Sequence, residues 1–345
     1  MPEVFVTNFN RNFTGVSATA ANVVRAQSGT YDLALVGRPL PGCPEPISKR
    51  MALSQSKSAP DGRPFAIWHV RRNTEMRVAI WARDVLRCPV RIVFTSAAQR
   101  RHSAYPRWLI SKMDAVIATT AKAAEFVPHV RAVVGHGVDT ERFFPARNRA
   151  KSWADLGYGG TKGIATIGRI RPEKGTDVFV DAMIRLLPQR PDTVALVIGR
   201  AGGKHDRFLD ELKSRVAVAG LSDRILFPGE ICADKLPGVL RSLSLVCQLP
   251  RYEGFGMVPL EAMASGTPFI GSDAGDYRRF ASDETVGRIV EIEDAGAAAA
   301  QAHEMLDDPA YARIAGQARA LCETRFSAAQ EAVGIDAVYQ ELWAK

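Results

Sequence analysis

The apolar positions of the first half fall in short, nearly continuous runs, separated by segments whose apolar residues recur at helical spacing. The runs over 4–9, 33–36, 65–70, 90–95, 115–119 and 132–134 read as strands, and 16–27, 75–87 and 106–112 as helices. Strands that are apolar along most of their length belong to a parallel sheet, because crossover helices hide both of its faces from water. The proline-rich polar stretch 39–63 reads as a long loop.

After the polar segment 145–163 the alternation begins again. Strands are predicted over 164–167, 194–198, 225–227, 244–247 and 268–270, and helices over 176–187, 207–219, 257–265 and 295–306. At 345 residues the chain exceeds the size at which one core stops growing. The expected fold class is therefore α/β, with two Rossmann-like doubly wound domains facing each other across a cleft. Their expected spans are 1–150 and 151–325, and a final helix over 326–345 carries Ala332, Ile335, Val338, Tyr339 and Leu342 on one face. In open α/β sheets ligands sit at the carboxyl ends of the strands, so the strand-to-helix loops are where chemistry is expected.

Composition narrows the function classes. Apolar residues make up 46% of the chain and charged residues 24%, which excludes a disordered or collagen-like protein. No apolar run approaches the roughly 20 residues that span a bilayer. The N-terminus lacks the basic region and apolar core of a signal peptide, so a cytoplasmic location is expected. The five cysteines have wide, irregular spacings and read as reduced thiols, and the six histidines form no metal-binding pattern. Positive charge is concentrated in the first domain: residues 1–150 hold 22 Lys and Arg against 10 Asp and Glu. Arginines at 71, 72, 77, 83, 87, 91, 100, 101 and 107 alternate there with Trp68, Trp81, Tyr105 and Trp108. Such a field attracts anionic partners, whether phospholipid, phosphorylated glycolipid or nucleic acid.

The most specific local signal is EGFGMVPLEAMASGTP, residues 253–268. Gly254, Phe255 and Gly256 precede a helix whose amino end favours an anion, and Glu253 and Glu261 place one carboxylate before that helix and one inside it. In IGRIRPEKGTD, residues 167–177, Arg169 and Lys174 lie on the loop between a strand and a helix. A cation pair in that position can clamp a diphosphate and stabilise the charge that grows as a sugar–phosphate bond breaks. Between the first strand and first helix, Gly15 allows close approach of a ligand to backbone, and Thr14 or Ser17 is placed to cap the helix. No GxGxxG fingerprint occurs, which disfavours a nicotinamide-dependent enzyme.

Taken in order, these motifs resemble the GT-B glycosyltransferases of family 4 (GT4), retaining enzymes that use nucleoside-diphosphate sugars. The resemblance places the family's HGVD segment on His136, Gly137, Val138 and Asp139, followed by Phe143. Its phosphate-binding pair falls on Arg169 and Lys174, and its EX7E pair on Glu253 and Glu261. Glu253 would then meet the sugar and Glu261 accept hydrogen bonds from ribose hydroxyls. Gly15 would lie near the donor phosphates, with Gly271, Ser272 and Gly275 following the nucleotide-binding helix. The family's first-domain histidine has its counterpart at His69 or Arg71, since this chain reads HVR where HxH is commoner. The resemblance also implies a final helix crossing back to the first domain, and a reaction needing neither metal nor cofactor.

Within that family the segments IWHVRRN and TSAAQRRHS are most similar to bacterial lipopolysaccharide inner-core mannosyltransferases. That likeness implies GDP-mannose as donor and a Kdo-bearing lipid A precursor as acceptor. It makes Arg71, Arg72, Arg100, Arg101 and His102 the acceptor-binding candidates, and the cytoplasmic face of the inner membrane the place of a peripheral enzyme. The rivals are a transferase with another donor or glycolipid acceptor, a nucleotide-sugar epimerase, and a nucleic-acid-binding protein. The last is disfavoured because the chain carries no recognised nucleic-acid module.

Overall fold

The computed structural model describes residues 1–282 and 286–345. The chain forms two compact units, 1–138 with 326–345, and 139–325. In the first unit, β1 (Val4–Asn8), β2 (Leu33–Gly37), β3 (Ala66–Val70), β4 (Val90–Ser96), β5 (Ala115–Ala118) and β6 (Val130–Val133) make one parallel sheet, in the order β2-β1-β3-β4-β5-β6. Every residue of β1 and β3 is buried, as expected of central strands covered on both faces. The helices of this unit are α1 (Gly15–Gln27), α2 (Lys49–Gln55), α3 (Asn73–Ile80), α4 (Ala104–Ile110) and α5 (Ala121–Ala124).

Two segments differ from the sequence reading. The supposed loop 39–63 contains α2, started by Ser48, whose hydroxyl accepts the Met51 amide at 3.1 Å. The helix expected over 75–87 is α3 followed by a π-helical turn at Trp81–Val85.

The second unit holds α6 (Arg149–Ala154), β7 (Lys162–Ile167), α7 (Thr176–Leu186), β8 (Thr193–Ile198), α8 (Asp206–Val218), β9 (Ile225–Gly229), α9 (Leu236–Ser242), β10 (Leu245–Gln248), α10 (Met257–Ala264), β11 (Phe269–Ser272), α11 (Tyr277–Phe280), β12 (Gly287–Val290), α12 (Ala295–Asp307) and α13 (Tyr311–Arg325). Its strands are again parallel, ordered β12-β11-β10-β7-β8-β9. In each sheet the first strand of the unit lies inside the order, so successive connections leave it in opposite directions. Those topological switch points lie between β1 and β3 and between β7 and β10.

Residues 139–150, grouped with the first domain in the sequence reading, belong to the second unit. Arg149 donates to the Gly266 carbonyl and the Tyr311 hydroxyl, and buried Trp153 fills the space over Gly163. The last helix, α14 (Ala328–Trp343), belongs instead to the first unit. There Ile335, Val338, Tyr339, Leu342 and Trp343 share a core with Val6, Ile67, Val93 and Ile117. Val138 donates to Phe326 O at 2.8 Å and accepts from Ala328 N at 2.8 Å, which fixes where α14 begins. Gly137 is required beside this junction, since a Cβ there would sit 2.2 Å from the Ser327 carbonyl oxygen.

Candidate active site

Along the second sheet's switch point, the loop after β7 carries Gly168, Arg169, Ile170 and Arg171 into a tight turn, Pro172–Lys174, that leads to α7. Gly175 joins turn to helix with φ +63°, and a Cβ there would lie 1.7 Å from Leu249 O. Glycine therefore lets the start of α7 press against the loop after β10. That contact brings the two predicted donor motifs together. Lys174 Nζ donates to Glu253 Oε2 at 2.5 Å, and the other oxygen of Glu253 accepts the Gly254 amide at 2.9 Å. Thr166, Ile167, Gly168, Arg169, Lys174, Thr176 and Gln248 line a pocket at this place.

Arg169 is exposed, and none of its guanidinium nitrogens has a hydrogen-bonding or ionic partner among the described residues. Partial burial, then Arg171, draws its pKa below the usual 12.5. Arg251, which the sequence reading passed over, holds the frame. It donates to both oxygens of Asp177 at 2.8 Å, to Pro172 O at 2.6 Å and to Glu293 at 2.5 Å. Burial raises the Asp177 pKa, but this fork more than offsets it and leaves the carboxyl below its ordinary value. A bidentate arginine between the Lys174 turn and the segment before Glu253 fixes their spacing.

α10 is preceded by Gly256, which offers no capping side chain. Glu261 lies in this helix, buried, and its carboxylate accepts no hydrogen bond from the described residues. Burial pushes its pKa up to about 7, with the charge of Arg142 acting weakly in the other direction. Of the glycines expected near the nucleotide, Gly275 packs against the Glu253 stem, and Ser272 donates its hydroxyl to Pro250 O at 2.6 Å.

At the first sheet's switch point, Gly15 opens α1 and has open space where a side chain would be. Thr14 makes no capping bond; it accepts from Arg72, as does Ser17. Fully buried Glu75 accepts the amides of Phe9 at 3.1 Å and Arg71 at 2.8 Å, so it ties the loop after β1 to the loop after β3.

Comparisons with known proteins place the chain in a family. The family model described as glycosyl transferases group 1 matches residues 149–320, which contain Arg169, Lys174, Glu253 and Glu261. Over 99% of this chain and 97% of the relative, the sequence is 42% identical to the lipopolysaccharide core biosynthesis mannosyltransferase LpsB of Rhizobium meliloti (strain 1021). The chain belongs to the group 1 glycosyltransferases. Its LpcC counterpart from Rhizobium leguminosarum bv. viciae is 41% identical over 99% of this chain and 96% of the relative. Among solved structures, Anabaena HepE in complex with UDP and glucose covers 99% of this chain at a TM-score of 0.83 and 15% identity, which bears on the fold alone. The C-terminal domain of the group 1 protein LpcC from Francisella tularensis is 36% identical, covering 55% of this chain and 99% of that domain with a TM-score of 0.53. The GT-B architecture and the family read from the motifs are thus both found.

Two site candidates of this glycosyltransferase have their side chains engaged within the first unit. His69 is fully buried, with Nδ1 2.6 Å from the Tyr339 hydroxyl and Nε2 2.6 Å from Thr95 Oγ1. Burial, then Arg71 and His136, hold its pKa well below the ordinary value, so the ring is neutral. With both ring nitrogens hydrogen-bonded, the His69 side chain ties α14 to the sheet. Arg72 is likewise committed, donating to Asn8, Thr14, Ser17 and Glu75 at 3.0–3.1 Å. These four bonds organise the β1–α1 loop.

Arg71 keeps its guanidinium buried and without a hydrogen-bond partner among the described residues. Arg100 and Arg101 are exposed on the loop before α4, and half-buried His102 has an enclosed Nε2 with no partner. Sequence patterns did not reveal Glu331, whose carboxylate accepts from the Gly137 amide at 2.8 Å and bonds His136 Nδ1 at 2.8 Å. The pair links HGVD to a residue almost 200 positions away, beyond the reach of local periodicity. Among the described residues, no group of three or more His, Cys, Asp or Glu side chains is placed to hold a metal ion, and no helix is long and apolar enough to cross a membrane.

Proposed function

We propose that this enzyme transfers mannose from GDP-mannose, with retention, to a Kdo-containing lipid A precursor during assembly of the lipopolysaccharide core. The observation that carries the reading is near-complete coverage at 42% identity to a lipopolysaccharide core mannosyltransferase. The acceptor hydroxyl attacks C1 of the sugar on the face the diphosphate leaves. The C1–O bond breaks through an oxocarbenium-like state, and the acceptor proton passes to a departing phosphate oxygen. Arg169 and Lys174 stabilise the diphosphate, Glu253 and the Gly254–Gly256 backbone meet the donor, and Glu261 receives the ribose hydroxyls. Lys174 then has to exchange its Glu253 partner, in whole or part, for phosphate. The test is mass-resolved product formation with GDP-mannose, UDP-glucose, UDP-galactose and UDP-GlcNAc, each with and without the Kdo-lipid A precursor. A single hexose added only with GDP-mannose and that acceptor supports the reading, and transfer from a UDP-sugar instead would displace it.

The partner membrane is proposed to dock on α3, the π-helical turn and α4. Trp81, Val85 and Leu86 are exposed there, as are Tyr105 and Trp108, whose rings stack 6.2 Å apart. Exposed Arg87, Arg101, Arg107 and Lys112 flank them. Aromatic rings suit the interfacial zone and cations the anionic headgroups. Sedimentation should show binding to vesicles containing phosphatidylglycerol, weaker binding to phosphatidylcholine alone, and loss of binding in the Trp81→Ser, Trp108→Ser double variant. Equal binding by the double variant would remove this surface from consideration.

A further inference from the structure

Arg71 follows β3, the third position in the row Ile67, His69, Arg71 that faces α1 and α14. It is 8% exposed, and all three guanidinium nitrogens are enclosed without a hydrogen bond to any of the described residues. A buried guanidinium without partners is strongly disfavoured, so its environment needs an explanation. The groups nearby cannot supply one. Glu75 is occupied by the amides of Phe9 and Arg71 and by Arg72, and Glu331 by His136 and Gly137. Tyr339 and Thr95 are bonded to His69. At the same end of the sheet, two strands from β3, the buried Oγ1 of Thr119 also has no hydrogen-bond partner among the described residues. Thr119 continues the row Ala115, Ile117, whose strand pairs with β4 beside β3, and the Thr119 amide donates to Ser96 O at 2.9 Å.

We propose that Arg71 is the receptor for a monoanionic carboxylate of the acceptor sugar, and that it sets acceptor specificity. The proposal rests on the reading that the acceptor carries a sugar acid. A planar carboxylate matches two parallel guanidinium N–H groups, and such a fork is strongest out of water, where this side chain lies. Charge selects against a dianion. The carboxylates of Glu75 and Glu331 already act on Arg71 through space. A phosphate would set two more negative charges beside them, whereas a carboxylate adds one.

The test uses the full chain and binding, with turnover measured separately. Calorimetric or NMR titration with free Kdo, Kdo methyl ester and inorganic phosphate should rank Kdo first, with 10- to 100-fold weaker binding of the ester. Arg71→Met should weaken Kdo binding by the same factor and leave GDP-mannose binding unchanged. It should also raise the thermal midpoint, because a buried charge without partners is removed; an arginine with only a structural role would lower it. Arg71→Lys, which keeps the charge but not the fork, should fall between the two. Equal affinity for acid and ester, unchanged Kdo binding in Arg71→Met, or tighter binding of phosphate than of Kdo would each overturn the proposal. Kdo binding that depends on Arg71 in an enzyme that transfers no mannose would sink the donor assignment and leave this one standing.

Discussion

Replacing Arg169 with alanine is expected to lower turnover 10²- to 10³-fold while leaving thermal stability close to that of the parent enzyme. The two halves of that result have separate causes. Arg169 is exposed on the loop after β7 and makes no hydrogen bond or ion pair with the described residues, so its removal breaks nothing in the fold. It lines the pocket with Lys174, and it is the cation there that is not already neutralised by a carboxylate contact. A charge held ready in the apo enzyme needs no rearrangement before it meets the leaving diphosphate. Lys174→Ala differs, because it also strips Glu253 of its 2.5 Å partner and should change both donor affinity and rate. Single-turnover kinetics with saturating GDP-mannose would separate the two. If Arg169→Ala raised the donor KM with kcat intact, the side chain would belong to ground-state binding rather than to bond breaking.

What the sequence disclosed follows the range of the interactions involved. Both sheets were legible because parallel central strands are apolar runs, and the donor motifs because Arg169, Lys174, Glu253 and Glu261 sit on short loops and one helix of fixed geometry. The strand β12 and helices α2, α5, α6, α9, α11 and α13 went unread, being short or weakly patterned: α13 buries only Ile314, Ala318 and Cys322. In the first unit, residue type misled where partner choice decides the role. Arg71 and Arg72 are adjacent and chemically identical, yet the guanidinium of one is bonded to Asn8, Thr14, Ser17 and Glu75 and that of the other hydrogen-bonds none of the described residues. His69 was singled out as a counterpart of the family's first-domain histidine. Its partner Tyr339 lies 270 positions away on α14, and that separation hid its structural role.

Glu261→Gln should make the ligand-free enzyme more stable at pH 8 and bind nucleotide sugar 10- to 100-fold more weakly. The wild-type carboxyl ionises near 7 in the folded chain because burial disfavours its charge, against 4.5 when solvated. A raised carboxyl favours the folded state fully below about pH 4.5, and the benefit is lost as pH rises through 7. At pH 8 the ionised, unpaired group therefore burdens the fold by roughly 3 kcal/mol, on the scale of 1.36 kcal/mol per unit. Glutamine carries no such charge, so the stability difference between variant and parent should grow across pH 5 to 8, as measured by urea midpoints at each pH. Ribose hydroxyls that donate to Glu261 prefer it ionised, so donor binding to the parent should strengthen as pH rises through 7 and release a proton. In the glutamine variant that dependence should vanish. Parallel stability curves for the two proteins would mean that Glu261 is already hydrated and ionised at neutral pH. A glutamine variant that bound nucleotide sugar as well as the parent would take the ribose away from this residue.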